Sequence, residues 1–260
     1  MLALKHQWKT LSLSFTDAIL TISMNRPKAN AMSPELLNEL TDAFNQASND
    51  NKIRGVLLRS NLNSTFCAGA DLSTVYNLSV AGQQSAIDKF IFHTLSRGMT
   101  APLYCSKPVA CSLDGHTIAG GLMLALSCDY IAIGTRKPFR IGITGPIVGI
   151  PYPLKAVKLV QHQLEPQLGY RLLVDANLFP STDLPIRCER SETPDDLSRK
   201  WLTMMSERPL QGFQITKKEW WSNLIKLDNI DNEQEKKEYF NAVTSNECLQ
   251  AMKKALTKEK

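Results

Sequence analysis

The six cysteines, at positions 67, 105, 111, 128, 188 and 248, form no CxxC pair, and the four histidines, at 6, 93, 116 and 162, are scattered. That spacing argues against a zinc site, and no metal is expected. Four of the cysteines lie in apolar runs, so buried, reduced thiols are expected, as in a cytoplasmic protein. Long hydrophobic runs are missing as well. Two apolar uncharged stretches, 115–128 and 141–154, are 14 residues each and carry glycine or proline; a bilayer span needs about 20 apolar residues. The first eight residues include Lys5 and no long apolar region, so no signal peptide and no membrane contact are expected. Neither GxGxxG nor GK[ST] occurs, so a dinucleotide fingerprint and a phosphate loop are both lacking. Charge of one sign is scarce too: 30 lysines and arginines against 25 acids leave +5. That is too little to argue for nucleic acid, though it agrees with an anionic ligand.

What is present is ordinary globular material. Of 260 residues, 43% are hydrophobic and 21% charged, which excludes a disordered or fibrous chain and suits one large α/β domain or a domain with a helical appendage. Residues 11–24 predict two strands joined at Thr16-Asp17. Leu20, Ile22 and Met24 alternate with Thr21 and Ser23, the period of a half-buried strand. Ser33-Pro34-Glu35 predicts a helix start, with Leu36, Leu37, Leu40, Ala43, Phe44 and Ala47 on one face. Further strands are expected at 56–58, 109–113 and 130–133, helices at 87–95, 119–127 and from Leu154, and an irregular loop at 142–153. Thr193-Pro194 predicts a capped helix start. From Thr216 onward the chain is charged, glycine-free and helical, with Lys217, Lys218, Glu233, Glu235, Lys236 and Lys237 expected on solvated faces. A strand-rich core over 1–195 and a helical region over 196–260 follow.

Two glycine segments carry the chemistry: Phe66-Cys67-Ala68-Gly69-Ala70-Asp71-Leu72 and Asp114-Gly115-His116-Thr117-Ile118-Ala119-Gly120-Gly121-Leu122. Each follows a buried strand and opens toward a helix. Small residues there let a ligand approach the backbone. Two free N–H groups converging on one oxygen would form an oxyanion hole, which stabilises negative charge as it develops. Tight strand-on-helix packing is the competing explanation of either run.

Together and in this order, the two segments resemble the crotonase superfamily (enoyl-CoA hydratase/isomerase). The resemblance also rests on Met24-Asn25-Arg26-Pro27-Lys28-Ala29-Asn30-Ala31-Met32, on Lys107-Pro108-Val109-Ala110, on Cys128-Asp129 and on Gly142…Val148-Gly149-Ile150-Pro151. It runs in register from about residue 10 to 175. It implies an α/β fold with a ββα spiral core and a C-terminal helical trimerisation region, giving a homotrimer or a dimer of trimers. It implies an acyl-CoA substrate, with coenzyme A as part of that substrate and no bound cofactor. By position, the N–H groups of Ala70 and Gly120 would hold the thioester oxygen. Lys28, Ala29, Asn30, Ala31, Ala68, Gly69, Asp71, Leu72 and Gly121 would line the substrate track.

Two departures bear on mechanism. Hydratases of this family carry a glutamate three residues after the oxyanion glycine, and that position here is Met123. A second glutamate, used by hydratases and isomerases alike, lies three residues past a glycine. Counted from Gly142, that position is Gly145. No Asp or Glu occurs between Asp129 and Glu165. Acid–base help is worth roughly 10²–10⁴ in rate per group, so isomerase-like or other enolate chemistry is expected in place of hydration. His116, in the glycine loop, is a candidate for proton transfer, and Tyr76, Tyr130, Tyr152 and Thr144 are further polar groups. A catalytically inactive acyl-CoA-binding protein or partner subunit is the alternative reading, and a structural trimer with no thioester site is a third.

Overall fold

The computed structural model describes residues 8–258; positions 1–7, on which the leader expectation falls, lie outside the described residues. In chain order the strands are β1 (Leu11–Thr16), β2 (Ile19–Met24), β3 (Gly55–Ser60), β4 (Thr65–Cys67), β5 (Val109–Leu113), β6 (His116–Ile118), β7 (Tyr130–Gly134), β8 (Arg140–Gly142), β9 (Leu178–Pro180) and β10 (Glu189–Ser191). The helices are α1 (Pro34–Asn49), α2 (Leu72–Val80), α3 (Gln84–Asp88), α4 (Ser96–Met99), α5 (Ala101–Tyr104), α6 (Gly120–Leu126), α7 (Leu154–Gln163), α8 (Pro166–Leu173), α9 (Pro194–Ser206), α10 (Leu210–Lys226), α11 (Glu233–Val243) and α12 (Asn246–Lys258).

Two sheets share the work. A six-stranded sheet runs β1-β2-β3-β5-β7-β10, parallel from β2 onward, with β1 joined to β2 as an antiparallel hairpin. A four-stranded sheet runs β4-β6-β8-β9. Each turn of chain places one strand in the large sheet, the next in the small sheet, and then a helix: β3-β4-α2, β5-β6-α6, β7-β8-α7. This is a ββα spiral. The β1–β2 turn falls at Asp17-Ala18, one residue later than expected. Both residues have positive φ (52° and 61°), the backbone that a two-residue hairpin turn demands.

Alternation along β2 sorts its side chains to two faces. Leu20, Ile22 and Met24 join α1 in the main core, with Leu36, Leu37, Leu40 and Phe44. Ile19 packs with Leu57, Ala110 and Leu202 on the other face. The sequence predicts a half-buried strand; all six residues are buried, Thr21 and Ser23 included. The reason lies 170 residues downstream. Helix α9 packs across β3, β5 and β7, and Arg199 donates to Thr21 Oγ1 at 2.9 Å. The first helix after the strands therefore straddles position 195 and covers the sheet. Its Thr193 side chain makes no capping bond. Ser33, in contrast, caps α1 by accepting from Leu36 N–H at 3.3 Å. The helix expected over 87–95 is a π-helix from Lys89 to Leu95, a form that recurs at functional sites. The loop expected at 142–153 contains a short 3-10 turn, Gly145–Val148. Among the described residues no helix is long and apolar enough to cross a membrane, and no cluster of three or more histidine, cysteine or acidic side chains is placed to hold a metal.

Lys217 corrects a second expectation. It is 6% exposed, and its Nζ donates to Asp129 Oδ2 at 2.6 Å and to the Lys107 carbonyl at 3.1 Å. The charge pattern of α10 suggests a solvated face there, but this lysine ties the helix to the end of the sheet.

Candidate functional site

The site is built where the two glycine segments meet. Residues 28–32 run beside 66–71. Ala68 N–H donates to the Ala29 carbonyl at 3.0 Å, Met32 N–H to the Gly69 carbonyl at 2.7 Å, and Asp71 N–H to the Met32 carbonyl at 3.2 Å. In this parallel bridge Met32 supplies both bonding groups, so the N–H of Ala70 faces away from it. Asn30 fastens the segment. It is fully buried with φ 48°, accepts from Arg26 N–H at 2.8 Å, and donates to Ser60 Oγ and the Phe66 carbonyl, both at 2.9 Å. Asparagine tolerates this left-handed backbone better than most residues.

The second segment turns sharply into α6. Ala119 sits at φ 51°, ψ −118°, and its N–H is held by the Gly142 carbonyl at 2.8 Å. That contact fixes the strained turn from β8. Gly120 then starts the helix directly beside Gly69. A Cβ on Gly69, whose φ is +88°, would sit 2.7 Å from Ala119 Cβ and 2.9 Å from Gly120 N. A Cβ on Gly120 would lie 2.9 Å from Met32 Sδ and 3.7 Å from Ala70 N, and one on Gly121 only 2.4 Å from the Cys67 carbonyl. The glycines are thus needed for packing, and the same closeness puts the Ala70 and Gly120 N–H groups side by side. Neither donates to an acceptor among the described residues.

The other sequence candidates fall in several places. Leu72 starts α2, and Asp71 caps it by accepting from Ser73 and Thr74 N–H. Arg26 also donates to Asp71, at 2.7 Å. With its oxygens so occupied, Asp71 is a structural carboxylate. Lys28 is exposed with φ 74°, beside half-buried Ala29 and Ala31. Met123 is fully buried one turn into α6. His116 stands apart. It is exposed at the far end of β6, and its Nδ1 accepts from Arg140 N–H at 3.1 Å. It begins β6, with the strand through Ile118 and the turn at Ala119 between it and Gly120, and its bond to Arg140 holds it at that end, so the structure does not bring it to the N–H pair.

At Gly145, which the sequence reading places at a missing carboxylate, Tyr152 packs against the backbone. A Cβ there would meet Tyr152 Cε2 at 2.7 Å and Tyr152 Oη at 2.9 Å. The phenol fills the space that a side chain at 145 would need, and its oxygen accepts from Gly145 N–H at 3.2 Å. Burial raises the pKa of this phenol above the ordinary value, against a smaller lowering by the Gly145 bond. Cys67 is buried, and desolvation pushes its thiol up to about 12, which makes it a poor nucleophile. Asp129 lies beyond the C-terminal end of α6, bonded to Val109 N–H and Lys217. A cleft of about 570 Å³ opens at that end, beside Cys128, Trp201 and Trp220.

Comparison with known proteins gives a consistent picture. Residues 14–185 match a family model described as enoyl-CoA hydratase/isomerase. Among curated proteins, enoyl-CoA delta isomerase 1, mitochondrial, of Mus musculus is 26% identical over 223 residues, 82% of this chain and 75% of that protein. Enoyl-CoA hydratase domain-containing protein 2, mitochondrial, also of Mus musculus, is 36% identical over 136 residues, 52% of this chain and 41% of that protein. Among solved structures, human mitochondrial delta3-delta2-enoyl-CoA isomerase superposes with a TM-score of 0.86 at 19% identity. The match covers 96% of this chain and 98% of that one.

Proposed function

Because this chain belongs to the enoyl-CoA hydratase/isomerase family, we propose that it binds an acyl- or enoyl-CoA thioester and stabilises its enolate with the Ala70 and Gly120 N–H groups. The observation that carries this reading is the unpaired state of those two N–H groups at a contact kept close by Gly69 and Gly120. Two preorganised donors on a developing oxyanion are worth several kcal/mol, since one such donor is worth about 3–4. The track at Lys28, Ala29, Ala31 and Ala68 then holds the rest of the substrate. Asn30 holds the track, and the coenzyme A moiety is part of the substrate itself.

The reaction class follows from the acids. Met123 and Gly145 stand where the family resemblance places carboxylates, Asp71 is engaged in a cap, and residues 130–164 hold no acid. Water activation for hydration needs a base of that kind. Moving a double bond or protonating an enolate needs one group that lends and recovers a proton. We therefore favour isomerase-like or related enolate chemistry. The burial of Met123 and the filling of the Gly145 space by Tyr152 also favour a second reading, in which thioester is bound and not turned over. Exposed Met204, Ile215 and Trp220 on α9 and α10 support subunit contacts through the helical region, as in a trimer or dimer of trimers.

Thermal unfolding with butyryl-CoA tests the binding step. Ligand at 100 times its Kd adds about 2.7 kcal/mol, and the Gly120→Ala variant should lose that gain. Equal protection of both proteins would overturn the N–H pair as the thioester site.

A further inference from the structure

Any enolate formed at the N–H pair must gain or lose a proton, and the residues so far placed there supply none. The 142–145 segment is tied to the pair: the Gly142 carbonyl holds Ala119 N–H at 2.8 Å, and Gly145 is three residues on, at most about 10 Å of chain. At Gly145 the space beside the backbone is filled by Tyr152. Its oxygen takes the Gly145 N–H at 3.2 Å, and its own proton goes to no acceptor among the described residues. The groups packed near it are neutral. The buried Tyr239 phenol of α11 senses Tyr152, and Cys248 of α12 bonds the Val148 carbonyl at the end of the same turn. Burial keeps all three protonated. Among charged groups on the adjoining chain, Glu235 of α11 accepts from Leu154 N–H at 2.5 Å, and Lys155 and Asp228 satisfy each other at 2.5 Å.

We propose that Tyr152 is the proton-transfer residue of this site, removing and returning a proton at the carbon chain of the bound thioester. The proposal rests on the thioester reading above. The step balances within the site. In its small phenolate fraction Tyr152 takes the C2 proton: the C–H bond breaks, the O–H bond forms, and the electron pair moves onto the thioester oxygen held by the Ala70 and Gly120 N–H groups. The phenol then returns a proton to C2, giving exchange, or to C4 of a 3-enoyl substrate, giving the 2-enoyl isomer. Gly145 N–H stabilises the transient phenolate.

The test is deuterium uptake at C2 of butyryl-CoA in D2O, read by mass spectrometry from pH 7 to 9.5 on the full chain. Wild type should exchange, with a rate rising about tenfold per pH unit, because the reactive phenolate is a minor species throughout. Tyr152→Phe keeps the ring and should exchange at least 100-fold more slowly, with its thermal stabilisation by butyryl-CoA unchanged. Exchange in the variant within threefold of wild type would overturn the proposal and leave the thioester reading standing. So would a wild-type rate independent of pH over that range. Wild type that binds butyryl-CoA without exchange would also overturn it, in favour of the binding-only reading. Wild type that neither binds nor exchanges would overturn the thioester reading and this proposal together.

Discussion

Lys217 Nζ meets Asp129 Oδ2 at 2.6 Å across 88 residues of sequence, with the two side chains only 4% and 12% exposed. Helix α10 is fixed to the end of the sheet by this pair, and the pair is fixed by the Val109 N–H and the Lys107 carbonyl. Breaking one side of a buried pair strands the other charge, at a cost of about 3–5 kcal/mol. Lys217→Met should therefore lower the urea unfolding free energy by that amount. A loss below about 1 kcal/mol would mean that Asp129 finds another partner.

Asn30 holds the 28–32 segment with three hydrogen bonds of its side chain while adopting a left-handed backbone. Asn30→Ala should cost about 2–3 kcal/mol, from buried groups left unpaired and from the positive φ. Asn30→Gly removes the same bonds and relieves the backbone, so it should be less damaging than alanine. Chemical denaturation of the two variants checks the order; an alanine variant as stable as the glycine one would count against the backbone part of the argument.

Asp71 carries the cap of α2 and the ion pair with Arg26. Loss of such a cap costs about 0.5–2 kcal/mol. Asp71→Ala should fall in or just above that range and leave proton exchange at C2 of butyryl-CoA within a few-fold of wild type. Loss of exchange in a folded Asp71→Ala protein would assign this carboxylate a direct chemical part.

Alkaline pH should destabilise the fold. Burial raises the thiol of Cys67 from 9.0 to about 12, so the native state keeps a proton that the unfolded chain releases. For a raised pKa the contribution is complete below the unfolded value and is lost as pH climbs from about 9 toward 12. One such group adds a slope of up to about 1.4 kcal/mol per pH unit. The half-buried phenol of Tyr152 and the buried one of Tyr239 add to it above pH 10, with the same sign. Cys67→Ala should therefore have a shallower fall in unfolding free energy between pH 9 and 10.5 than wild type. Parallel slopes would show that the thiol does not titrate on unfolding.

The spiral was legible in the sequence because its signals are local. Ser33-Pro34 starts α1 where expected, Gly120 starts α6, and the strands at β3, β5 and β7 are short apolar runs bounded by turns. The two glycine segments also point to their own meeting place, since Gly69 and Gly120 have no room for a Cβ. What escaped the sequence is long-range. The polar face of β2 is buried because α9 returns to cover it, and Lys217 is buried because Asp129 waits there. Neither fact leaves a trace in a window of neighbouring residues. His116 misleads for a related reason: it is close to Gly120 in sequence, but extended strand carries it away. Tyr152 is the reverse case, seven residues from Gly145 and folded back onto it.

The most direct measurement compares isomerisation of a 3-enoyl-CoA with hydration of crotonyl-CoA, by the same purified protein in one spectrophotometric panel. An N–H pair without a carboxylate base should isomerise the first and leave the second unhydrated. Robust hydration of crotonyl-CoA would contradict it, because a water-activating base would then be at work in a site where Met123, Gly145 and the capped Asp71 offer none.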